Sequence, residues 1–353
     1  MRVRNSKRFT SNMKSIALAT ALVATVSATA ALASPTPWLF IDAPAGGHAP
    51  QAVAISGHNQ IVGTYTNSDF SVHGFLRTPD GSITAIDVPG ATSTVPTGIN
   101  VKGAIAGYAS LSDGTEPGFL RDAAGTYQTF EVPGTVETLA RAVNSKGVVA
   151  GDVRVTGQSV NTNGFVRSKT GAITTFAPAN TFQIQTTGIA DNGAVVGLVA
   201  DTSLNVHGFL RSSQGALTTF AVPGTYATIP FGINQNGQIV GAYRNTISDP
   251  AAHGFVRAAN GTFMTFEISG PGIAPAVTMT WESLNFAGEI AGCYLDASSV
   301  SHGFVRDANG NFQQLDAPGA TSTCPKAIAA NGKIVGAIND KAFRVNRKVW
   351  KGE

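Results

Sequence analysis

The sequence predicts an all-β fold, a seven-bladed β-propeller of four-stranded antiparallel blades. The first observation is a cassette of about 46 residues that recurs seven times in the 353-residue chain. The second is the series of Asn-Gly and Asp-Gly pairs, which supply the positive backbone angles of hairpin turns. The third is that the chain begins and ends with complementary fragments of the cassette. An open β-solenoid is the alternative fold.

Residues 228–267 show how each strand of a blade arises. Strand a ends at residues 232–234, and the Asn236-Gly237 turn leads into strand b at 238–243. After a variable loop, strand c covers 254–257, and the Asn260-Gly261 turn leads into strand d at 262–267. A Pro-Gly pair or a similar turn then carries the chain into the next blade.

The two ends of the chain favour a closed ring. Residues 38–44 supply a strand d alone, while residues 327–345 supply strands a, b and c without a clear d. We expect the N-terminal strand to pair with the C-terminal blade, because closure removes the open sheet edges that invite aggregation.

The first 33 residues have the composition of a secretory signal peptide. A basic start precedes an apolar, alanine-rich run at 15–29, and Ala31-Leu32-Ala33 predicts cleavage after Ala33. A membrane anchor is the alternative, but the run is short for a span. We expect a secreted or periplasmic protein with one propeller domain over residues 34–353.

Charge argues against some partners. Five of the 24 Lys and Arg residues lie in the leader, so the mature chain has 19 basic against 21 acidic residues. No basic surface for nucleic acid is predicted, and no membrane span follows the leader. The sequence indicates no cofactor and no metal site, and we expect a monomer.

A glycine follows two aliphatic or small residues in strand b of every cassette. We expect a structural role, either because a side chain would strike the neighbouring sheet where blades converge or because a β-bulge lies there. These glycines are Gly63, Gly107, Gly151, Gly197, Gly241, Gly292 and Gly336.

An arginine ends strand c in six cassettes. We expect each guanidinium to bond neighbouring carbonyls or an acid between blades, and a ring of cations that attracts an acidic polymer is the alternative. These arginines are Arg77, Arg121, Arg167, Arg211, Arg257 and Arg306.

The motif before these arginines is His-Gly-Phe in four cassettes, starting at His73, His207, His253 and His302. It resembles the repeat of the bacterial extracellular HAF-repeat family, named for His-Ala-Phe. The resemblance covers residues 40–345, although Pro117 and Asn163 replace the histidine in two cassettes. It implies an exported repeat protein, usually without an assigned activity, and it brings no catalytic residues.

The hairpin between strands c and d places residues 14 positions apart opposite one another. We therefore expect three cross-strand His–carboxylate pairs, His73–Asp87, His253–Glu267 and His302–Asp316. His207 has Ala221 at that offset.

The two cysteines, Cys293 and Cys324, lie in consecutive cassettes of an exported chain. A disulfide between them is one possibility, and two buried free thiols are the other.

Loops on a rigid scaffold commonly carry binding, and the b–c loops and d–a links share one rim of the predicted ring. Binding residues are expected among the unrepeated polar and aromatic groups of that rim. They are Tyr65, Asp69, Asp113, Arg154, Asp201, Arg244, Asp249, Trp281, Tyr294 and Asp296.

No catalytic motif is present, so we assign no catalytic residue. We expect an exported binding or surface-interaction module whose partner is a glycan, a cell-wall component or another protein. The alternatives are a propeller-type polysaccharide hydrolase or lyase and a structural protein of the envelope. An enzyme would need two unrepeated carboxylates that converge on one pocket, whereas dispersed acids favour binding alone.

Overall fold

The computed structural model describes residues 38–249, 251–269, 276–339 and 341–346, and for residues 276–282 it describes the backbone alone. The predicted leader lies outside this part of the chain. The described residues form strands throughout and no helix, so no described helix has the length and apolar character needed to cross a membrane.

The strands follow one another in the order that the cassettes predict. The chain begins with β1 (Trp38–Ile41). Blade 1 contains β2 (His48–Ile55), β3 (Ile61–Thr66), β4 (Val72–Arg77) and β5 (Ile83–Ile86). Blade 2 contains β6 (Ser93–Ile99), β7 (Ile105–Ser110), β8 (Gly118–Arg121) and β9 (Tyr127–Phe130). Blade 3 contains β10 (Thr135–Val143), β11 (Val149–Val155), β12 (Asn163–Arg167) and β13 (Ile173–Phe176).

The second half repeats this arrangement. Blade 4 contains β14 (Thr181–Ile189), β15 (Val195–Asp201), β16 (Val206–Arg211) and β17 (Leu217–Phe220). Blade 5 contains β18 (Ala227–Ile233), β19 (Ile239–Arg244), β20 (His253–Arg257) and β21 (Phe263–Phe266). Blade 6 contains β22 (Ala276–Leu284), β23 (Ile290–Asp296), β24 (Ser301–Arg306) and β25 (Phe312–Leu315). Blade 7 contains β26 (Thr323–Ile328), β27 (Lys333–Ile338) and β28 (Lys341–Asn346).

Blade 7 is completed by the first strand of the chain. Its sheet has the order β1-β28-β27-β26, and β1 pairs antiparallel with β28 from Trp38 opposite Val345 to Ile41 opposite Ala342. Strand a of each blade contacts strand a of the next, and β26 contacts β2. The predicted pairing of the N-terminal strand with the C-terminal blade is therefore present, and the sheets form a ring with strands a around its axis.

The hydrophobic core consists of clusters between neighbouring blades. One cluster joins Val62 and Ile86 of blade 1 to Ile105 and Phe119 of blade 2, and comparable clusters join every other neighbouring pair. The phenylalanine of the His-Gly-Phe motif, or its equivalent, is fully buried in each blade. These residues are Phe75, Phe119, Phe165, Phe209, Phe255, Phe304 and Phe343. Each cassette thus buries its apolar face only against its neighbours.

The repeated glycine of strand b is required by close contacts within its own blade. The alternative, in which a side chain would strike the neighbouring sheet, is wrong. A Cβ on Gly241 would lie 2.2 Å from the carbonyl oxygen of Ile229 in strand a and 2.8 Å from the ring of Phe255 in strand c. Five equivalent glycines, in blades 1, 2, 3, 4 and 7, have the same strand a carbonyl at 2.0 to 2.2 Å. The other alternative is correct, because strand a has a register shift opposite this glycine.

Four of the repeated arginines bond a neighbouring carbonyl as predicted, and four lie over an aromatic ring of the preceding blade. Nη1 of Arg77, Arg121, Arg211 and Arg306 donates to the carbonyl of the next residue at 3.3 to 3.4 Å. The guanidinium of Arg167 lies over Phe130 of the preceding blade, and that of Arg257 over Phe220, each at 4.8 Å. Burial lowers the pKa of both arginines. Among the described residues no acid pairs with Arg167 or Arg257, so at these two blade junctions a cation–π contact replaces the expected inter-blade acid.

The predicted cross-strand pairs are confirmed. Nδ1 of His73 lies 2.7 Å from Asp87, and Nδ1 of His302 lies 2.6 Å from Asp316. The third pair, in blade 5, is equally short.

The cysteines are joined. Cys293 of β23 and Cys324 of β26 form a disulfide with a Cα–Cα distance of 4.9 Å. It links blade 6 to blade 7.

Candidate functional site

The five aspartates predicted on the loop rim lie in b–c loops or at the end of strand b, in five different blades. In each, the carboxylate accepts a hydrogen bond from the backbone N–H two residues later, at 2.8 to 3.0 Å. They are Asp69, Asp113, Asp201, Asp249 and Asp296. Hydrogen bonds from the loops hold the pKa of all five carboxyl groups below its ordinary value. The loop aspartates therefore close turns and do not converge on one pocket.

Two of the three aromatic residues predicted on the loop rim lie in strands and are buried from solvent. Tyr65 and Tyr294 lie in strands b, are buried, and stack or tilt against His73 and His302 at ring distances of 5.5 and 5.4 Å. Trp281 lies in β22, but its side chain is outside the described part of the structure.

The two predicted arginines differ in their surroundings. Arg154 donates through Nε to Glu137 at 2.7 Å, and a second bond joins Nη2 to the same carboxylate. The neighbouring Glu116, whose backbone bridges that of Glu137, accepts a bond from Ser110. Arg244 is exposed at the end of β19. The ten predicted residues are therefore spread around the ring and do not form one site.

A different set of unrepeated side chains meets on the axis. In six blades, strand a contains one residue that has no partner in strand b, because the register shifts on either side of it. All six side chains line the same axial cavity. They are Val53, Thr97, Arg141, Thr187, Phe231 and Lys326.

The cavity lies in the half of the channel nearer to the rim where strands a begin. It has a volume of about 510 Å³, and its remaining walls include Val95, Gln185, Leu198 and Ile229. A smaller cavity of about 220 Å³ lies next to it along the axis, and one of about 380 Å³ lies at the opposite rim. Mostly apolar walls with a few polar groups and this volume are typical of sites for small organic ligands.

The opposite end of the channel is built from repeated residues. Asn100 donates through Nδ2 to the carbonyl of Asn144 in the next blade at 2.9 Å, and Asn144 donates to Ala190 at 3.1 Å. Asn234 and Asn285 make the same bond in blades 5 and 6. These side-chain amides join neighbouring blades, so we assign a structural role, and not ligand binding, to this end of the channel.

Arg141, which lines the cavity, forms a buried ion pair with Asp152 that further hydrogen bonds hold in place. Asp152 is fully buried, and it accepts bonds from Nε and Nη2 of Arg141 at 3.2 Å each. It also accepts bonds from the backbone N–H of Thr186, at 3.0 Å, and from the side chain of Asn161. Burial disfavours the charged form of Arg141, but attraction to Asp152 outweighs it, so the pKa of Arg141 lies above its ordinary value.

Burial also affects Lys326, which lines the cavity, and Tyr108, which lies beside Arg141. It lowers the pKa of Lys326 and raises the pKa of Tyr108, whose ring lies 5.8 Å from the guanidinium carbon of Arg141. Nowhere among the described residues do three or more His, Cys, Asp or Glu side chains gather as a metal site would require.

The cavity was not predicted from the sequence, because the repeated motifs indicate turns and strands whereas the residues that line the cavity do not repeat. The available signal lies two positions before the residue that ends strand a. There the cassettes read Val, Thr, Arg, Thr, Phe, Glu and Lys, whereas the aliphatic residue two positions later is nearly constant. A position that varies between fixed neighbours marks chemistry that the fold does not require.

No protein-family model matches the sequence, and no curated protein does. Solved structures do. Virginiamycin B lyase from Staphylococcus aureus superposes with a TM-score of 0.58 at 14% identity over 88% of this chain and 98% of that chain. The β-propeller domain of the Trilobed protease from Pyrococcus furiosus gives 0.61 at 8% identity, over 87% of this chain and 96% of that chain.

The fold is that of a β-propeller. A structure of a prolyl endopeptidase adds a TM-score of 0.64 at 10% identity, and it covers 87% of this chain but only 49% of the other. Propellers of such low identity share architecture without sharing activity, so the function of this propeller has to be argued from its own site.

Proposed function

We propose that this propeller is an exported, non-enzymatic binding protein whose ligand enters the axial cavity from the rim where strands a begin. The observation that carries the proposal is that six side chains from one variable position of the cassette converge on a single cavity. A repeated residue serves the repeated fold, whereas an unrepeated one is free to serve a ligand.

Binding is favoured over hydrolysis or elimination because the loop aspartates do not converge on one pocket. Two of them, Asp249 and Asp296, share a histidine with the strand d acid of their own blade. The loop aspartates lie one to a blade and close turns, and the described residues that line the cavity include no acid. Asp152, which lies beside the cavity, is buried and bonded on both oxygens. A general acid or base would need access to substrate.

Export is supported by the leader sequence and by the Cys293–Cys324 disulfide, since disulfides persist in oxidising compartments. The repeat supports membership of the extracellular HAF-repeat family, and a monomeric protein fits a closed ring of blades. A small apolar–polar cavity suits a terminal sugar or another exposed group of a glycan or cell-wall component.

An array of bacterial glycans and cell-wall fragments tests the proposal. Thr187→Trp fills the cavity, and Thr219→Trp places the same side chain on an exposed outer strand of the same blade. We expect at least one fragment to bind both wild type and the Thr219→Trp variant. Its affinity for the Thr187→Trp variant should be at least tenfold lower. Its mass should be the same after incubation with the protein as before.

Three outcomes contradict the proposal. Binding that survives Thr187→Trp would place the ligand elsewhere, and a cleaved or rearranged fragment would make the protein an enzyme. A panel without any bound fragment would exclude the glycan and cell-wall assignment. Circular dichroism and thermal unfolding of both variants show whether each has folded.

A further inference from the structure

This inference begins with a charged side chain at a bulged position of strand a, where the fold does not require any particular residue type. Arg141 is the unpaired strand a residue of blade 3, and the equivalent residues of blades 1, 2, 4 and 5 are Val53, Thr97, Thr187 and Phe231. Four blades therefore form the same strand pair without a charge here. The guanidinium is not required by the β-bulge.

Its partner is equally exceptional. Asp152 directly follows the repeated glycine of strand b, where the other blades have Thr64, Tyr108, Leu198, Ala242, Cys293 and Ala337. No other blade has a charge at this point. Burying an ion pair stabilises a protein little compared with apolar residues of similar size, so the pair calls for another explanation.

The geometry of the pair leaves one edge of the guanidinium available. Asp152 occupies Nε and Nη2, which form the side edge, and the other end of the group carries Nη1 and the second hydrogen of Nη2. Within the described part of the chain Nη1 makes no hydrogen bond. The side chain is 24% exposed and lines the axial cavity. A guanidinium edge with two parallel N–H donors matches the two oxygens of a carboxylate.

The cavity is suited to hold the rest of such a ligand. Val95, Ile229 and Phe231 form apolar walls of the same cavity, and the described charged groups in the wall, Arg141 and Lys326, are both cationic. Asp152 and the ring of Tyr108 limit the movement of the guanidinium, so little conformational entropy is lost when an anion binds.

We propose that Arg141 binds the carboxylate of the channel ligand and that Asp152 is the positioning residue that holds Arg141 for it. The ligand class is a small acid with an apolar body, or an acidic terminal group of a larger molecule. This inference rests on the proposed function, because it specifies the ligand of the same cavity.

The test uses a neutral fluorescent reporter and two competitors. N-phenyl-1-naphthylamine reports occupancy of the cavity, and 2-naphthoate and 2-naphthamide, which differ in a carboxylate and an amide, compete with it. We expect 2-naphthoate to displace the reporter from wild type at about one tenth of the concentration that 2-naphthamide needs, since a charge-assisted bidentate pair is lost with the amide.

The variants separate recognition from a structural role. The double variant Arg141→Met with Asp152→Leu avoids an unpaired buried charge, and we expect it to lose the tenfold preference. The Thr219→Trp control keeps the preference. Equal displacement by the two competitors in wild type, or a preference that persists in the double variant, would overturn the inference while leaving the binding cavity in place. Failure of the reporter to bind wild type, or binding that Thr187→Trp does not reduce, would instead overturn the proposed function.

Discussion

Replacing one repeated glycine by alanine tests whether the bulged strand pair holds each blade together. In Gly241→Ala the added Cβ would lie 2.2 Å from the carbonyl oxygen of Ile229, whereas ordinary contacts begin near 3.4 Å. Strand a must therefore move by about 1 Å, or the ring of Phe255, 2.8 Å away, must leave its buried position. Overpacking usually costs about 1 to 3 kcal/mol, and a rigid backbone neighbour places this change at the upper end.

The matched control lies in the same blade. Gly232, in strand a, has no atom within 4 Å of an added Cβ, and its φ is not positive. Gly232→Ala should therefore stabilise the protein by about 0.4 to 1 kcal/mol through the unfolded chain. The two variants should differ by about 3.5 kcal/mol in the free energy of unfolding, because the loss in one adds to the gain in the other.

Urea unfolding followed by tryptophan fluorescence measures this difference. With a slope of about 3 kcal/mol per molar urea for a chain of this size, the midpoints of the two variants should lie about 1 M apart. A Gly241→Ala midpoint within about 0.2 M of wild type would refute the reasoning, because it would show that strand a moves away at no cost.

Three further predictions concern charges and the disulfide. Asp152→Ala should destabilise the protein by about 3 kcal/mol in urea unfolding, because it leaves the largely buried Arg141 unpaired, and adding Arg141→Met should restore most of the loss. Burial lowers the pKa of His302, but its bonds to Asp316 and Asp296 outweigh burial and raise the pKa above its ordinary value of 6.5. The stability lost in His302→Asn should therefore be largest below about pH 6.5 and should shrink as pH rises through the raised pKa, and a pH series of thermal unfolding checks this. Replacing Cys293 and Cys324 together by alanine should cost about 3 to 4 kcal/mol, since the bridge closes a loop with a sequence separation of 31, and a cost near zero in urea would contradict this.

Local geometry explains which features could be predicted from the sequence. A short hairpin loop with a glycine at its left-handed position determines the register of the two strands. The Asp80-Gly81 turn centres this hairpin on Asp80, so the offset of 14 is enough to locate Asp87 as the partner of His73. The complementary ends likewise predict that β1 pairs with β28, because a missing strand d in one cassette matches an isolated strand d elsewhere.

The features that escaped prediction depend on register shifts or on packing between blades. The bulge at Arg141 adds a residue to strand a, and the residues of the hairpin turns do not predict where it lies. Sequence alone therefore does not show that this side chain faces the axis. The ring of Phe130 under Arg167 belongs to the preceding blade, and its position depends on how neighbouring sheets are staggered. The sequence places Asp113 among the unrepeated loop groups, whereas its bond to the backbone N–H of Thr115 is visible only in three dimensions.

The bulge connects the fold to the proposed function. A strand a residue with a cross-strand partner contributes to the sheet, so its replacement alters the pairing energy of the blade. The bulged residue has no such partner, and blades with Val53, Thr187 or Phe231 at this point form the same strand pair. The repeat therefore supplies a ring of inward-facing positions at which side chains can change without loss of the scaffold. Blade 3 differs from these in adding a second exceptional residue, Asp152, to orient the first, and selection for a ligand explains such a coupled change better than selection for stability.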